Sequence, residues 1–245
     1  MIYHDAALFF NIMINHLAIK SILLFGLLLL PTSAFADDPD KAPPSGRSTG
    51  GRGCGIATPS QSDVPNLILL VPQGPQQTVS TRPTFAWFVR DNTSVPMEFR
   101  LYGQTENGQY QLVKEIKDEQ FKSSPGITVL SWNQTAPELA IGKYRWQVVF
   151  VCNSDRPSSN LFATSEIEVI PIPASLKTRL EQTRDPIAKS SIYAEANLWY
   201  DAIGISIASS SSAPKSSHWS LFDRMTLNDT EQQLLRQSKV NLIQR

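Results

Sequence analysis

The chain has 245 residues, and its 22 Lys+Arg balance 22 Asp+Glu at a formal net charge of zero. A neutral chain exerts no broad pull on nucleic acid or anionic lipid, so neither is an expected partner. With two cysteines and three histidines, it is also poor in zinc ligands, of which a structural site needs four.

Lys20, the apolar run Ile22–Leu30 and the stretch Pro31-Thr-Ser-Ala-Phe-Ala36 follow one another. A basic residue, a short apolar stretch and an Ala-x-Ala site in that order read as a secretory signal over residues 1–36. The apolar run is about half of the roughly 20 residues that a membrane span needs. Cleavage after Ala36 is therefore expected, with delivery to the periplasm or the extracellular space and no membrane span in the mature chain. Met13 gives a leader of ordinary length, Met1 a long one. The leader carries one basic residue, Lys20, and one acidic residue, Asp5, so the mature chain stays neutral.

Residues 37–63 are rich in Pro, Gly, Ser and Arg and read as a disordered lead-in. Arg47 and Arg52 are expected to be solvated there. Cys54 lies in Gly50-Gly-Arg-Gly-Cys-Gly55, which has no helical or strand pattern. A nucleotide loop, a metal knot, a reactive thiol and half of a disulfide are the alternatives. The Gly-Lys-Ser/Thr of a phosphate loop is absent, and after cleavage the only histidine left to assist a thiol or a metal is His218. Outside the cytoplasm two cysteines usually pair, so Cys54–Cys152 is the expected bond.

Between residues 67 and 170 the texture is that of short strands broken by turns. The runs are Leu67–Val71, Thr84–Val89, Glu98–Gly103, Gln109–Lys117, Ile127–Trp132, Lys143–Cys152 and Leu161–Ile170. In Gln109–Lys117, Tyr110, Leu112, Lys114 and Ile116 share one register, and Asn107-Gly108 before it is a hairpin signal. Seven strands predict a mainly β fold, an antiparallel sandwich of immunoglobulin or fibronectin type III kind over residues 64–172. Leu139-Ala-Ile-Gly-Lys-Tyr144 is similar to a tyrosine corner, in which Tyr144 bonds back to upstream backbone. Cys152 would then anchor the N-terminal tail against the sandwich.

After Pro173 the period changes to about 3.6, so residues 173–245 read as a small helical region. A short helix runs from Pro173 to Gln182. Asp185-Pro186 starts a second that continues to about Ile207, with Ile192, Ala196, Trp199, Ile203 and Ile207 on one stripe. Residues 208–220 form a serine-rich linker. Asn228-Asp-Thr-Glu231 resembles a capping box opening a last helix that carries Leu234, Leu235 and Val240.

These segments together resemble a family found mainly in cyanobacteria and catalogued only as a domain of unknown function. The match rests on Gly51-Arg-Gly-Cys54, Arg82-Pro-Thr-Phe-Ala-Trp87, Phe99-Arg-Leu-Tyr102 and Pro125-Gly-Ile127. It continues through Gly142-Lys-Tyr-Arg-Trp146, Cys152-Asn-Ser-Asp-Arg156 and Ala194–Ile203. The resemblance implies an exported protein and supplies no reaction. The serine-rich stretch before the last helix departs from the pattern.

Trp87, Trp132 and Trp146 alternate with polar or small residues as core groups do. Trp199 sits on the helical stripe and is expected to pack against the sandwich or a neighbouring helix, and Trp219 lies beside His218 in the linker; these two are also the candidates to face a partner. Glu195 and Asp201, six residues apart, point away from each other on one continuous helix and are expected at the surface, not as a catalytic carboxylate pair. No Gly-x-Ser-x-Gly or His-Glu-x-x-His motif occurs. The expectation is an exported, non-enzymatic binding or assembly protein of the cell envelope, without cofactor or metal, whose partner is a protein. A carbohydrate-binding module is the alternative and a secreted hydrolase the third reading.

Overall fold

Phe85-Ala-Trp-Phe-Val89 is apolar at every position, so whichever way its side chains alternate, both faces of that strand must be covered. All five residues are buried. The computed structural model describes Val64, residues 66–209 and residues 219–245. The segment expected to be a signal, the whole of the lead-in and most of the serine-rich linker lie outside the described residues. All of the described residues belong to one compact unit, Pro39–Arg245.

Among the described residues nine strands form two sheets: β1 Leu67–Leu69, β2 Gln76–Thr78, β3 Phe85–Val89, β4 Met97–Gln104, β5 Tyr110–Ile116, β6 Gly126–Ser131, β7 Gly142–Phe150, β8 Leu161–Val169 and β9 Val240–Gln244. A four-stranded sheet has the order β1-β3-β6-β9 and a five-stranded sheet the order β2-β8-β7-β4-β5. Their inner faces meet in an aromatic core. Phe85 of β3 lies 4.9 Å, centroid to centroid, from both Phe99 of β4 and Trp146 of β7. Such pairs add to the area they bury.

The sheets are mixed, which corrects the purely antiparallel expectation. β2 runs parallel to β8, and β9 runs parallel to β6. β2 is a polar Gln-Gln-Thr stretch with no hydrophobic alternation, so sequence pattern passes over it. β9 lies where the last helix was expected to carry Val240. That helix stops at Gln237, and Ser238 is extended. Asn241 and Ile243 then alternate with Val240, Leu242 and Gln244, the period of a strand.

A bulge also divides the expected register of β5. Ile116 and Lys114 pair with the inward Phe99 and Leu101, whereas Leu112 and Tyr110 pair with Tyr102 and Gln104. The two halves of the strand therefore present opposite faces.

Among the described residues four longer helices and one single turn follow β8: α1 Ala174–Gln182, α2 Pro186–Glu195, α3 Trp199–Ser209, the turn α4 Trp219–Phe222 and α5 Asp229–Gln237. Asp185 caps α2 by accepting from the Ala188 amide at 2.8 Å. Asn228 and Glu231 form the reciprocal capping box of α5. The single helix expected from Asp185 to Ile207 is instead two, because the chain turns at Ala196–Leu198 with Asn197 at φ 58°, the left-handed region that Asn tolerates. Ser190 of α2 donates to the Ala202 carbonyl of α3 at 2.8 Å and holds the two helices together.

The outward side chains of the four-stranded sheet, Ile68, Ala86, Phe88, Ile127 and Val129, are all buried. They belong to one apolar cluster with Leu221, Phe222, Met225 and Leu235 of the helical region.

Candidate functional site

Helix α3 joins the sandwich through its first turn. Trp199 donates its indole N–H to the Leu70 carbonyl at 2.8 Å. Tyr200 enters the aromatic core, 5.7 Å from Phe85, and its hydroxyl accepts the indole N–H of Trp146 at 2.8 Å. Burial pushes the Tyr200 phenol well above its ordinary range, against the opposing hydrogen bonds from Trp146 and Ser165. This hydroxyl is a fixed structural member.

The next residue, Asp201, faces the turn between β2 and β3. Its Oδ2 accepts from the Val79 amide at 3.1 Å. Burial raises its carboxyl from 3.8 to about 6, although hydrogen bonds from Thr78, Val79 and Ser80 pull the other way. A cavity of about 450 Å³ opens beside it, lined by Ser80, Arg82, Thr84, Tyr193 and Gly204 among others. Tyr193 is raised too, by burial first and by the nearby Asp201 charge second. Arg82 is committed elsewhere: its Nε donates to the Ala136 carbonyl and its Nη1 to Glu138, each at 2.8 Å. Gly204 is needed for close approach, because a Cβ there would stand 3.0 Å from the Thr84 hydroxyl oxygen. The cavity can admit a small polyol or a polar side chain, and its carboxyl can accept a hydrogen bond or, below pH 6, donate one. A second cleft of about 330 Å³ lies between Gln76, Asn197 and Arg224. Arg224 donates to the Ala194 carbonyl at 2.6 Å, capping the end of α2.

Tyr144 of β7 donates its hydroxyl to the Ala140 carbonyl, four residues upstream, at 2.9 Å. Cys152 follows β7; no free cysteine occurs among the described residues, and Cys54 lies outside them. Trp199 is buried, so it cannot face a partner as the sequence allowed. Trp219 opens α4, but its side chain, like His218, lies outside the described part. Trp87 and Trp146 are fully buried, and Trp132 packs against the core with the Lys114 ammonium 5.5 Å from its ring. Glu195 is at the surface, paired with Arg179 at 3.0 Å. Asp201 is half-buried at the cavity and not freely exposed, which corrects the expectation made for it. The turn at Asn197 resets the helical register, which the spacing of Glu195 and Asp201 on one helix could not reveal. Among the described residues no group of three His, Cys, Asp or Glu side chains is placed to hold a metal ion.

A family model described as Domain of Unknown Function (DUF928) matches residues 47–239. The chain belongs to this family. No curated protein and no solved structure matches it. The family match starts upstream of Val64 and includes Cys54, so the lead-in from residue 47 is part of the family's domain.

Proposed function

We propose that this is an exported, non-enzymatic binding or assembly protein of the cell envelope, and that its partner is a protein. The observation that carries this reading is the open lateral edge formed by β5 and β9. These strands end the two sheets on the same side, where Arg245 after β9 pairs with Asp118 after β5 at 3.1 Å. Leu112, Val113, Val240 and Leu242 stand exposed there, Leu242 by 71%. In β9 the Lys239 carbonyl and both backbone groups of Arg245 pair with the β6 side. By alternation the N–H and C=O groups of Val240, Leu242 and Gln244 point to the open edge. An edge with aliphatic side chains and unfilled backbone groups suits addition of a strand from another protein.

The scaffold reading is a fibronectin type III-like or immunoglobulin-like sandwich, supported by the order β1-β3-β6 opposite β5-β4-β7-β8. Export rests on the leader, and the Cys54–Cys152 disulfide on the absence of a free cysteine among the described residues. Capture of envelope proteins on the immobilised mature chain, repeated with Leu242→Lys, tests the binding role. A partner retained by the natural chain and lost with Leu242→Lys supports it; capture indifferent to that change overturns the edge as its basis. Sequencing of the mature N-terminus, expected at Asp37, and thiol titration of unreduced denatured protein, expected to find none, test export and the disulfide.

A second reading, carbohydrate binding, draws on the cavity beside Asp201, whose carboxyl, phenol and hydroxyl groups suit a polyol. Saturable binding on a glycan array, lost with Tyr193→Ala, would favour it.

A further inference from the structure

The cavity beside Asp201 measures about 450 Å³, within the range of pockets that hold small ligands. It lies between the β2–β3 turn and helices α2 and α3. Its polar groups are unevenly matched. The backbone donors of the turn are already spent: the Val79 N–H on Asp201, the Ser80 N–H on the Thr78 hydroxyl and the Arg82 N–H on the Ser80 hydroxyl, each at 3.1 Å. The Arg82 guanidinium gives its Nε to the Ala136 carbonyl and Nη1 to Glu138, so its charge is already balanced. Asp201 has no such balance. Among the described residues no cation pairs with it, and what acts on its carboxyl is burial and hydrogen bonding. An ionised carboxylate has about four acceptor positions and no donor. The cavity therefore offers one unbalanced negative charge and few free donors. Around that charge stand the rings of Tyr193 and Tyr200 and the aliphatic Val79, Ile172 and Ile205. Tyr193 is close enough for the Asp201 charge to help hold its phenol proton in place. Ile172 is 41% exposed, an apolar contact open to an incoming group.

We propose that this cavity binds a small organic cation, an ammonium group on a compact aliphatic or sugar skeleton, with Asp201 as its counter-ion. Three arguments select this class. An ammonium brings three donors and no acceptor, the complement of a wall whose donors are spent. Its charge meets a carboxylate more strongly where water is partly excluded, and a tyrosine ring within about 6 Å attracts it further. Its carbon skeleton can cover the aliphatic wall. A neutral polyol fits less well, because its oxygens seek donors that the turn has committed. A hard divalent ion fits less well again, because it takes about six to eight oxygen ligands and the cavity supplies a single carboxylate. The proposal does not depend on the open edge, and it parts from the carbohydrate reading in requiring a free amino group.

Titration of the isotopically labelled mature chain, followed by NMR at the Val79 and Ser80 amides, tests the proposal. The probes are n-butylammonium against n-butanol, and glucosamine against glucose. The titrations are run at pH 7, where a carboxyl raised to about 6 is mostly ionised. Saturable binding of at least one ammonium probe is expected at millimolar concentration, at least about tenfold tighter than its neutral counterpart. The tighter of the two ammonium probes tells an aliphatic from a sugar skeleton. Asp201→Asn, which keeps an acceptor for Val79, is expected to abolish that preference. Ile172→Lys, at an exposed position, is expected to weaken binding several-fold by placing a competing ammonium at the cavity; circular dichroism confirms the fold of each variant. Failure of both ammonium probes to bind overturns the proposal. So does binding that Asp201→Asn leaves unchanged. Equal binding of glucose and glucosamine overturns it too, while upholding the carbohydrate reading.

Discussion

On its outer side the four-stranded sheet presents Ile68, Ala86, Phe88, Ile127 and Val129, whereas the five-stranded sheet presents Glu98, Arg100, Arg145, Gln147, Thr164 and Glu166. Both faces are buried at their centres, but by different means. The apolar face shares one cluster with residues of α4, α5 and the turn between them, and removing that cover would expose a large hydrophobic patch. The polar face is laced internally: Arg145 bonds Glu166 at 2.8 Å, and Glu98 holds Arg100 and Lys117. Such a face can meet water without exposing an apolar patch, whereas the face made by Ile68, Phe88 and Ile127 cannot. The helical region is thus part of the fold's stability.

Substitutions can break this contrast. The largest effect is expected from Phe88→Ala, which empties space between the sheet and the helices; roughly 3–5 kcal/mol of stability should be lost in denaturant unfolding. A loss under 1 kcal/mol would mean that the helices do not depend on this face. Asp201, which fixes α3 to the sandwich, should give the next effect. Its folded-state value of about 6 lies above the ordinary 3.8. Its contribution is therefore fully present below pH 3.8 and is lost as pH rises through 6, amounting to about 2–3 kcal/mol. Asp201→Asn keeps an acceptor for the Val79 amide, and its stability relative to the natural chain should rise between pH 4 and pH 7. A difference independent of pH would remove the buried-carboxyl account. Tyr200→Phe leaves the Trp146 N–H without its partner in the core and should cost about 1–3 kcal/mol, read as a lower unfolding midpoint at unchanged denaturant slope. Leu242→Lys, on the open edge, should alter stability by no more than about 0.5 kcal/mol; a larger drop would show that β9 is packed and not available.

Strands with long alternation were readable from residues alone. Lys143–Phe150 and Leu161–Val169 carry inward apolar groups two apart, and their pairing runs in unbroken register. The caps at Asp185 and Asn228 were equally legible, because a short polar side chain before a helical period has one mechanical use. What failed was set by tertiary pairing. Gln76–Thr78 is a strand only because β8 offers it an edge, and Val240–Gln244 only because β6 does. The candidate site was illegible for a related reason. Asp201 becomes half-buried through the reversal at Asn197, and Asn197 in Glu-Ala-Asn-Leu-Trp carries no glycine or proline to announce a break. Trp199 was legible as a packing residue, because the stripe placed it on an apolar face and it does pack on the sandwich; its partner-facing alternative was not.

Strand β9 has a kinetic corollary. Ile127 of β6 pairs with Val240, over a hundred residues further along, with an entire helical region between them. During synthesis, β6 must wait with one margin unfilled while the intervening segment emerges, and closing so long a loop slows folding. A nascent form halted before residue 240 would carry a raw seam beside Ile127–Ser131, open to pairing with a strand from another chain.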